Sequence, residues 1–414
     1  MTETTTDVAI VGGGIAGGAL AVQLARAGLG VTVLEQSEHF RDRVRGEYMP
    51  PWGYAELVSA GLLDVVLRAE GTVTPRFVTY GDSMSPDDAE AAAADTSRLV
   101  RGAAGMLNLS HPGACSELAD EAARNGAEVV RGVHRVEVAA GSRPAVTYLR
   151  GDQEHVLRAR VVVGADGRSS AVRRQLGVRL ATTGPRTFAV GLLVDGLTGW
   201  PAATNAVGTC QDVCFFVFPR RDGRARVYLV WDKSAPGRFA GPGAGERILS
   251  RLATLTCFPD GDVFRAARPG PGWASYPLGD AWTDQPYAPG AVLIGDAAGY
   301  NDPILGQGLT IAVRDARLVA EALLSGGQWG PSVFAPYAAE RTERMRRLRA
   351  TADAMTRLRA DFTAEGRRRR DAAFARFAAD PGARLPIAAA MVGPDALPPE
   401  AFTREAADRM VALP

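Results

Sequence analysis

The chain has 414 residues, of which 46% are hydrophobic and 22% are charged, and its formal net charge is +1. This composition is typical of a globular protein long enough for two or three domains with a substantial core. The near-neutral charge balance argues against a nucleic-acid partner. No apolar stretch reaches the length of a membrane helix without glycine or charge, so we expect no membrane span.

The four cysteines narrow the chemistry further. Cys115, Cys210, Cys214 and Cys257 form no CxxC pair, and no Cys/His spacing resembles a zinc site. We therefore predict buried thiols and no metal. The N-terminal residues lack the basic segment of a signal peptide. Reduced thiols and the missing signal together favour a cytoplasmic location.

The chain opens with a strand, a glycine turn, a helix and a second strand. Val8–Val11 is a short apolar run, residues 15–27 have the pattern of a helix that Gly28 ends, and residues 31–34 form another apolar run. This order predicts a βαβ unit at the N-terminus.

The later elements follow from apolar periodicity and turn residues. Helices are predicted at residues 50–69, 112–124, 244–256, 306–324 and 331–359. Strands are predicted at residues 73–80, 128–132, 135–138, 145–150, 156–163 and 291–294, and through most of 186–232. Residues 87–95 form a surface helix or a loose loop. The charged run 367–370 predicts a solvated helix face, and the tail to Pro414 predicts short helices packed on the body.

The first motif lies between the two N-terminal strands. Residues 12–17 read GGGIAG, a GxGxxG pattern that follows a strand and opens a helix. Glycines there allow backbone amides to approach a pyrophosphate, and the helix N-terminus adds partial positive charge. Glu35 ends the second strand about 20 residues further on, where an acid accepts ribose hydroxyls. The motif predicts a dinucleotide site without separating FAD from NAD.

Two further motifs each follow a short apolar strand. Residues 166–173 read DGRSSAVR, and residues 295–308 read GDAAGYNDPILGQG. Loops at the carboxyl ends of the strands of a doubly wound sheet converge on the ligand. Asp296 can accept hydrogen bonds from polyol hydroxyls, and the helix that starts at 306–308 can stabilise negative charge, as on the pyrimidine edge of a reduced flavin.

The three motifs, in this order, resemble those of the group A FAD-dependent monooxygenases, the aromatic hydroxylases of the p-hydroxybenzoate hydroxylase-like fold, over roughly residues 7 to 350. The resemblance implies an α/β fold with a Rossmann-type FAD-binding domain, an inserted β-sheet substrate domain and a C-terminal helical segment. The corresponding boundaries are residues 1–72, 107–178 and 281–360 for FAD, 73–106 and 179–280 for substrate, and 361–414 for the tail.

The resemblance also implies which residues bind FAD. They are Gly12, Gly14, Ala16, Gly17, Glu35, Gln36, Arg43, Arg45, His111, Val133, Asp166, Arg173, Gly295, Asp296, Pro303, Gly306, Gln307 and Gly308. Arg45 is favoured over Arg43 and Arg41 as the arginine that reaches FAD after the second strand. The chain departs from the family where Gly299 stands in place of a common histidine. His111 stands in place of a common arginine, and a structural hydrogen bond is its default role.

By the same resemblance, NADH or NADPH reduces FAD transiently without a domain of its own. O2 then forms a flavin C4a-hydroperoxide that oxygenates an aromatic or polyketide-like small molecule. Hydroxylation, epoxidation and Baeyer–Villiger oxidation use the same adduct, and the sequence does not separate them. It also specifies neither a catalytic acid or base nor an oligomeric state.

Three alternatives share the fold. A dehydrogenase or reductase is one, since Gly299 and the Asp302-Pro303 pair are similar to the reductases. A flavin halogenase is another, but the segment after the second strand has no lysine, and residues 215–219 read FFVFP where halogenases carry tryptophans. A non-catalytic binding protein like the GDP-dissociation inhibitors is the third, and the retention of all three motifs argues against it.

The substrate side is predicted from strand alternation. Arg226 and Tyr228 share one face of their strand, and Phe216 and Phe218 share one face of theirs. These four are candidates for a pocket with an aromatic wall. The alternative that they are ordinary core residues of a sheet stays open.

Overall fold

A computed structural model describes residues 2–42, 44, 46–327, 329–330 and 332–414. Their strands are, in chain order, Thr2–Thr5 (β1), Val8–Val11 (β2), Val31–Glu35 (β3), Tyr48–Met49 (β4), Thr72–Thr74 (β5), Arg76–Gly81 (β6), Ala94–Asp95 (β7), Met106–Asn108 (β8), Glu128–Arg131 (β9), Val133–Ala139 (β10), Ala145–Arg150 (β11), Gln153–Arg158 (β12), Val161–Gly164 (β13), Ala181–Thr182 (β14), Thr187–Asp195 (β15), Thr204–Cys210 (β16), Val213–Pro219 (β17), Ala225–Asp232 (β18), Arg268–Leu278 (β19), Ala281–Trp282 (β20), Tyr287–Ala288 (β21), Ala291–Leu293 (β22) and Gly299–Tyr300 (β23).

The helices of the same residues are, in chain order, Ile15–Arg26 (α1), Pro51–Ser59 (α2), Leu63–Arg68 (α3), Pro86–Ala91 (α4), His111–Arg124 (α5), Ala171–Gln175 (α6), Ala244–Ala253 (α7), Asp262–Ala266 (α8), Gly308–Leu324 (α9), Ala335–Arg359 (α10), Ala364–Ala379 (α11), Leu385–Val392 (α12) and Arg404–Met410 (α13). None of these helices combines the length and apolar character that a bilayer span requires.

The first large sheet has the strand order β21-β22-β13-β2-β3-β9, and its last five strands are parallel. Strands β2 and β13 read VAIV and VVVG and are buried along their whole length. Continuous apolar strands of this kind are typical of a parallel sheet that is covered on both faces. Their carboxyl ends lie at one edge, where the glycine turn, the DG loop and the GD loop follow.

Different layers cover the two faces of this sheet. Helices α1, α5 and α9 form a core with one face, around Leu20, Leu118 and Val319. The antiparallel strands β10, β11 and β12 cover the other face, where Val146 and Leu157 pack on the parallel strands. The predicted α/β fold with an FAD-type parallel sheet is confirmed.

The second large sheet has the order β19-β15-β18-β17-β16-β6-β7. Helices α7 and α8 cover one face, where Ile248, Leu252 and Phe264 form a core with Val227 and Leu229. The opposite face is turned toward the carboxyl edge of the parallel sheet. The two sheets thus enclose the space in which the predicted motifs meet.

Two predicted elements are divided in the structure. The single helical stretch at 50–69 is two helices, because Gly61 adopts φ +66° after α2 and redirects the chain. The strand at 73–80 is divided at Pro75, which has no amide hydrogen for a strand ladder, into β5 and β6 of different sheets.

The C-terminal helices pack on the body as predicted, with one correction. The run 367–370 lies on α11, but Arg370 is buried rather than solvated. Its Nη1 donates to the carbonyls of Leu358 at 3.2 Å and Asp361 at 3.3 Å, so it ties α11 to the end of α10. All four cysteines are buried and unbridged, as expected.

Candidate active site

A cavity of about 2340 Å³ lies between the carboxyl edge of the parallel sheet, the open face of the second sheet and helices α11 and α12. Sites for a single small molecule usually measure about 300–1,000 Å³. The cavity therefore has room for a dinucleotide and a second molecule together.

The glycines of the first motif differ in what surrounds them. Gly12 adopts φ +105°, and a Cβ there would lie 2.4 Å from the carbonyl oxygen of Ala165. A Cβ on Gly17 would lie 1.9 Å from the carbonyl oxygen of Gly12. A Cβ on Gly14 would meet no protein atom within 4 Å, and Gly14 lines the cavity at the N-terminus of α1. The turn therefore leaves open the space that the pyrophosphate of FAD requires.

Glu35 ends β3 at the edge of the same cavity. Its carboxylate accepts hydrogen bonds from the backbone N–H groups of Gly13 and Ser37, each at 2.7 Å. The side chain is 7% exposed and lines the cavity beside Gln36. These bonds fix the carboxylate where it can also accept from ribose hydroxyls, so the adenosine end of FAD fits here.

Asp296 faces the cavity from the GD loop and is paired with an arginine that the sequence analysis did not select. Nε of Arg168 donates to Oδ2 of Asp296 at 3.1 Å, and the guanidinium lies 4.3 Å from the centre of the Tyr300 ring. All three residues line the cavity. Arg168 lies inside the DG motif, and this position could have identified it as a site residue from the sequence.

A buried ion cluster fixes the GD loop from behind. Asp315 accepts from Gly295 N–H and Arg341 Nε, both at 2.9 Å, and from Arg344 at 2.6 Å. Arg341 also donates to the carbonyls of Gly295, Ala298 and Gly299 at 2.8–3.2 Å. Burial alone would raise the pKa of Asp315, but the two guanidiniums outweigh it and hold that pKa below its usual range.

The N-terminus of α9 forms the next part of the wall. Gly306, with φ +67°, packs so closely on Tyr48 that a Cβ would lie 2.9 Å from its ring. The side chain of Gln307 is fully used: it accepts from Trp52 Nε1 at 2.8 Å and donates to the carbonyls of Leu305 and Ala390. This bonding holds the start of α9 against α2 and α12, where Gly306, Gln307 and Gly308 line the cavity. The first amides of a helix have no partner within the helix and are available to a ligand.

Aromatic side chains form the part of the cavity wall that adjoins Gly306. The rings of Tyr48 and Phe218 are stacked at 4.7 Å, and Phe218 contacts Phe216 at 6.0 Å and Tyr228 at 6.1 Å. All four line the cavity. Tyr48 was not predicted, because nothing in its local sequence distinguishes it from a core tyrosine.

The predicted site residues divide into three sets by their position relative to the cavity. Those that line the cavity are Gly12, Gly14, Ala16, Glu35, Gln36, His111, Val133, Asp166, Asp296, Pro303, Gly306, Gln307, Gly308, Phe216, Phe218 and Tyr228. Those placed behind its wall are Gly17, Arg173, Gly295 and Arg226. Arg43 and Arg45 lie outside the described residues.

Two members of the DG motif bond to the protein itself. Oδ2 of Asp166 accepts from the N–H groups of Ala171 and Val172, which begin α6. Arg173 donates to the carbonyls of Ala297 and Arg168 at about 3 Å and thereby joins the DG and GD loops. Both residues position these loops, and the direct cofactor contacts that the family resemblance implies for them stay predictions.

Arg226 lies under the loop that follows β3. It is completely buried and forms a two-point ion pair with Glu47, with Nη2 at 2.9 Å from Oε1, and it also binds Asp42. Arg220 joins Glu47 from the other side at 3.4 Å. Arg226 therefore anchors Asp42 and Glu47, which follow β3, while Tyr228 on the same strand face reaches the cavity.

Comparisons with known proteins agree with this geometry. A family model described as an FAD binding domain matches residues 5–352. Menaquinone reductase of Mycolicibacterium smegmatis is 27% identical over 345 residues, 78% of this chain and 78% of the relative. Ubiquinone hydroxylase UbiL of Rhodospirillum rubrum is 28% identical over 383 residues, 86% of this chain and 82% of the relative.

Among solved structures, PqsL of Pseudomonas aeruginosa in complex with 2-aminobenzoylacetate superposes with a TM-score of 0.71 at 24% identity, over 87% of this chain and 98% of PqsL. This likeness shows that the two share a fold. With the family match over most of its length and a cavity built to hold the cofactor, the chain belongs to the FAD-binding domain family and is an FAD-dependent oxidoreductase of the monooxygenase type.

Proposed function

We propose that the protein transfers one atom of O2 to an aromatic or polyketide-like small molecule, with NADH or NADPH as the electron source. The observation that carries this proposal is the continuity of one cavity. It runs from the glycine turn and Glu35, past Asp296 and the N-terminus of α9, to the aromatic wall formed by Tyr48, Phe216, Phe218 and Tyr228.

Bound FAD would supply the electron storage and the oxygen activation. The residues of the chain itself would bind and orient the FAD. Gly12, Gly14 and Glu35 would hold the adenosine and pyrophosphate part, and Asp296, oriented by Arg168, would accept from the polyol hydroxyls. The free amides of α9 would stabilise negative charge at the ring end.

The aromatic wall would bind the substrate and exclude water from the reacting atoms. Burial raises the pKa of Tyr228 far above its usual value, so its hydroxyl keeps its proton at neutral pH. A neutral hydroxyl at this point can donate to a substrate oxygen or nitrogen. The names of two relatives support a cyclic, largely apolar substrate: one is a ubiquinone hydroxylase, and another is an aklavinone-11 hydroxylase solved with FAD and aklavinone.

Product analysis under labelled oxygen tests the proposal. The purified FAD-loaded protein is incubated with NADH or NADPH and a panel of polycyclic phenols and quinones under isotopically labelled O2. Mass spectrometry should find one labelled oxygen atom in a product that unlabelled O2 does not label. Products that carry oxygen only from water, or flavin reduction that always requires a separate reductase protein, would contradict it.

A reductase is the second candidate, because the relative from M. smegmatis is named a menaquinone reductase. In that case electrons would pass from FAD to a quinone in the same aromatic pocket without oxygen incorporation. Anaerobic turnover separates the two functions. A reductase converts the quinone with NAD(P)H in the absence of O2, whereas a monooxygenase gives no product under those conditions.

A further inference from the structure

The far end of the cavity contains an arginine that neither the cofactor site nor the aromatic wall uses. Arg359 is the last residue of α10, is 6% exposed and lines the cavity. Its carbonyl accepts from the Thr209 hydroxyl at 2.8 Å, which fixes the helix end against β16. The end of the helix that carries this side chain is thus held in place.

The guanidinium of Arg359 has no carboxylate partner among the described residues. Its Nε donates to the Met355 thioether at 3.2 Å, and its Nη1 is buried without any hydrogen-bond partner. Another cation, Arg370, acts on it electrostatically and lowers the pKa of Arg359 further. Asp82 lies closer to Arg367 and Arg370, at 3.5 and 4.0 Å.

The buried guanidinium of Arg359 lacks the opposite charge that normally offsets the cost of removing a cation from water. Burial lowers the pKa of Arg359, yet a guanidinium keeps its proton at neutral pH. Desolvating a charge without an opposite charge or a full set of hydrogen bonds is costly, so buried charges are almost always paired. The cavity side is the one direction from which a missing anion can approach.

The length of β17 gives the approximate distance from Arg359 to the aromatic wall. Cys214, Phe216 and Phe218 alternate on the cavity side of β17. Cys214 pairs with Thr209, whose hydroxyl donates to the Arg359 carbonyl, and Phe218 is stacked on Tyr48. Four residues of a strand span about 13 Å. The wall between the two ends is apolar, with Phe216, Val207 and Val230 exposed to the cavity.

We propose that Arg359 binds a carboxylate on the substrate, so that the substrate is a flat, elongated, apolar acid whose reacting end lies at the aromatic wall. This inference rests on the proposed function, whose substrate class it narrows. A single planar guanidinium matches the two oxygens of a carboxylate through parallel hydrogen bonds. The apolar length between the ends accommodates about three fused rings.

Binding of two matched probes tests the proposal without catalysis. Anthracene-2-carboxylate and anthracene-2-carboxamide have the same shape and differ in charge. Their dissociation constants for the FAD-loaded protein are measured by probe fluorescence at physiological ionic strength. The carboxylate should bind about 10- to 100-fold more tightly, as expected for a charge-assisted pair formed away from water. Equal affinities in the wild-type protein would overturn the proposal.

Three variants locate the effect. Arg359→Gln should remove the preference for the carboxylate and leave binding of the amide unchanged, and Arg359→Lys should keep part of the preference. Arg367→Gln is the matched control, because it removes the same charge from neighbouring α11 at a side chain that is 50% exposed and outside the cavity wall. A preference that survives in Arg359→Gln would overturn the proposal. Should that variant fail to fold, the wild-type comparison still decides.

The two proposals fail in distinguishable ways. Equal binding of the carboxylate and the amide by the wild-type protein, with labelled oxygen still appearing in neutral aromatic products, rejects the role of Arg359 and leaves the monooxygenase intact. A clear carboxylate preference without any oxygen incorporation supports the anion site and rejects the proposed reaction.

Discussion

At the scale of single residues, the glycines of the first turn serve different physical purposes. Gly12 and Gly17 are required by the fold, because a Cβ at either would lie within 2.4 Å of a backbone oxygen. Gly14 has free space around it, so only a ligand gives a reason for its missing side chain. The GxGxxG pattern predicted a dinucleotide site but could not assign these separate purposes, which depend on neighbours such as Ala165.

Substitutions at the two kinds of glycine should therefore differ. Gly14→Ala should unfold at nearly the wild-type temperature but bind FAD at least tenfold more weakly, since its methyl group occupies the space of the pyrophosphate. Gly17→Ala should be strongly destabilised or fail to fold, because of the 1.9 Å approach to Gly12. Thermal unfolding of the apoprotein and FAD titration measure the two effects. A Gly14→Ala protein with full flavin affinity would contradict the placement of the cofactor.

Asp302 gives a pH-dependent prediction. It is almost fully buried next to Asp280, and its Oδ2 has no hydrogen-bond partner. Burial, with a contribution from Asp280, raises the pKa of Asp302 to about 6, although the Ile304 N–H and two arginines, Arg186 and Arg168, oppose the shift. Between pH 3.8, the ordinary pKa of an aspartate, and about pH 6, the folded protein holds a proton on Asp302 that the unfolded chain has released.

The protonated Asp302 therefore contributes about 3 kcal/mol to the free energy of unfolding. This contribution is fully present below about pH 3.8 and is lost as pH rises through about 6. The Asp302→Asn variant lacks the titration. The free energy of unfolding of Asp302→Asn minus that of the wild type should therefore increase as pH rises from about 4 to about 7. Urea denaturation at a series of pH values measures the difference, and a difference that stays constant with pH would show that Asp302 does not titrate in this range.

At the scale of elements, most strands and helices were predictable because their apolar periodicity is strong. The loops were not, since buried charges determine them. The sequence predicts an arginine-rich amphipathic helix at residues 331–359 but does not show which of its arginines are buried. Arg341 and Arg344 are both 1% exposed and bind Asp315 behind the GD loop. Arg359 and Arg370 escaped prediction for the same reason. Only the packing of one element on another shows which arginine of a helix is buried.

Removing the acid of this cluster should have a large effect. Asp315→Ala leaves two buried guanidiniums without their anion, and we expect the free energy of unfolding to fall by about 3–5 kcal/mol. Flavin should be lost as well, because Asp315 holds the Gly295 N–H. Glu343→Ala on α10 is the control: the Glu343 side chain is 46% exposed, and its removal should cost less than about 1 kcal/mol. Similar losses in both variants would contradict the anchoring role.

At the scale of the whole molecule, the cavity joins parts that are far apart in sequence. The three motifs meet at one cavity, as predicted, because each motif follows a strand of one parallel sheet. The contribution of the tail was not predictable. Helix α12 reads LPIAAAMV, and Ile387, Ala388, Ala390, Met391 and Val392 all line the cavity, but a short apolar helix has the same sequence pattern whether it faces a core or a ligand.

The central claim, that this cavity holds FAD for reaction with oxygen, is tested most directly by rapid mixing. The reduced FAD-loaded protein is mixed with oxygenated buffer, with and without a bound aromatic acid, and flavin absorbance is followed. We predict reoxidation in at least two phases, with a transient absorbance that belongs to neither reduced nor oxidised flavin, when the aromatic acid is bound. A single slow return to oxidised flavin under both conditions would contradict the account and favour a reductase.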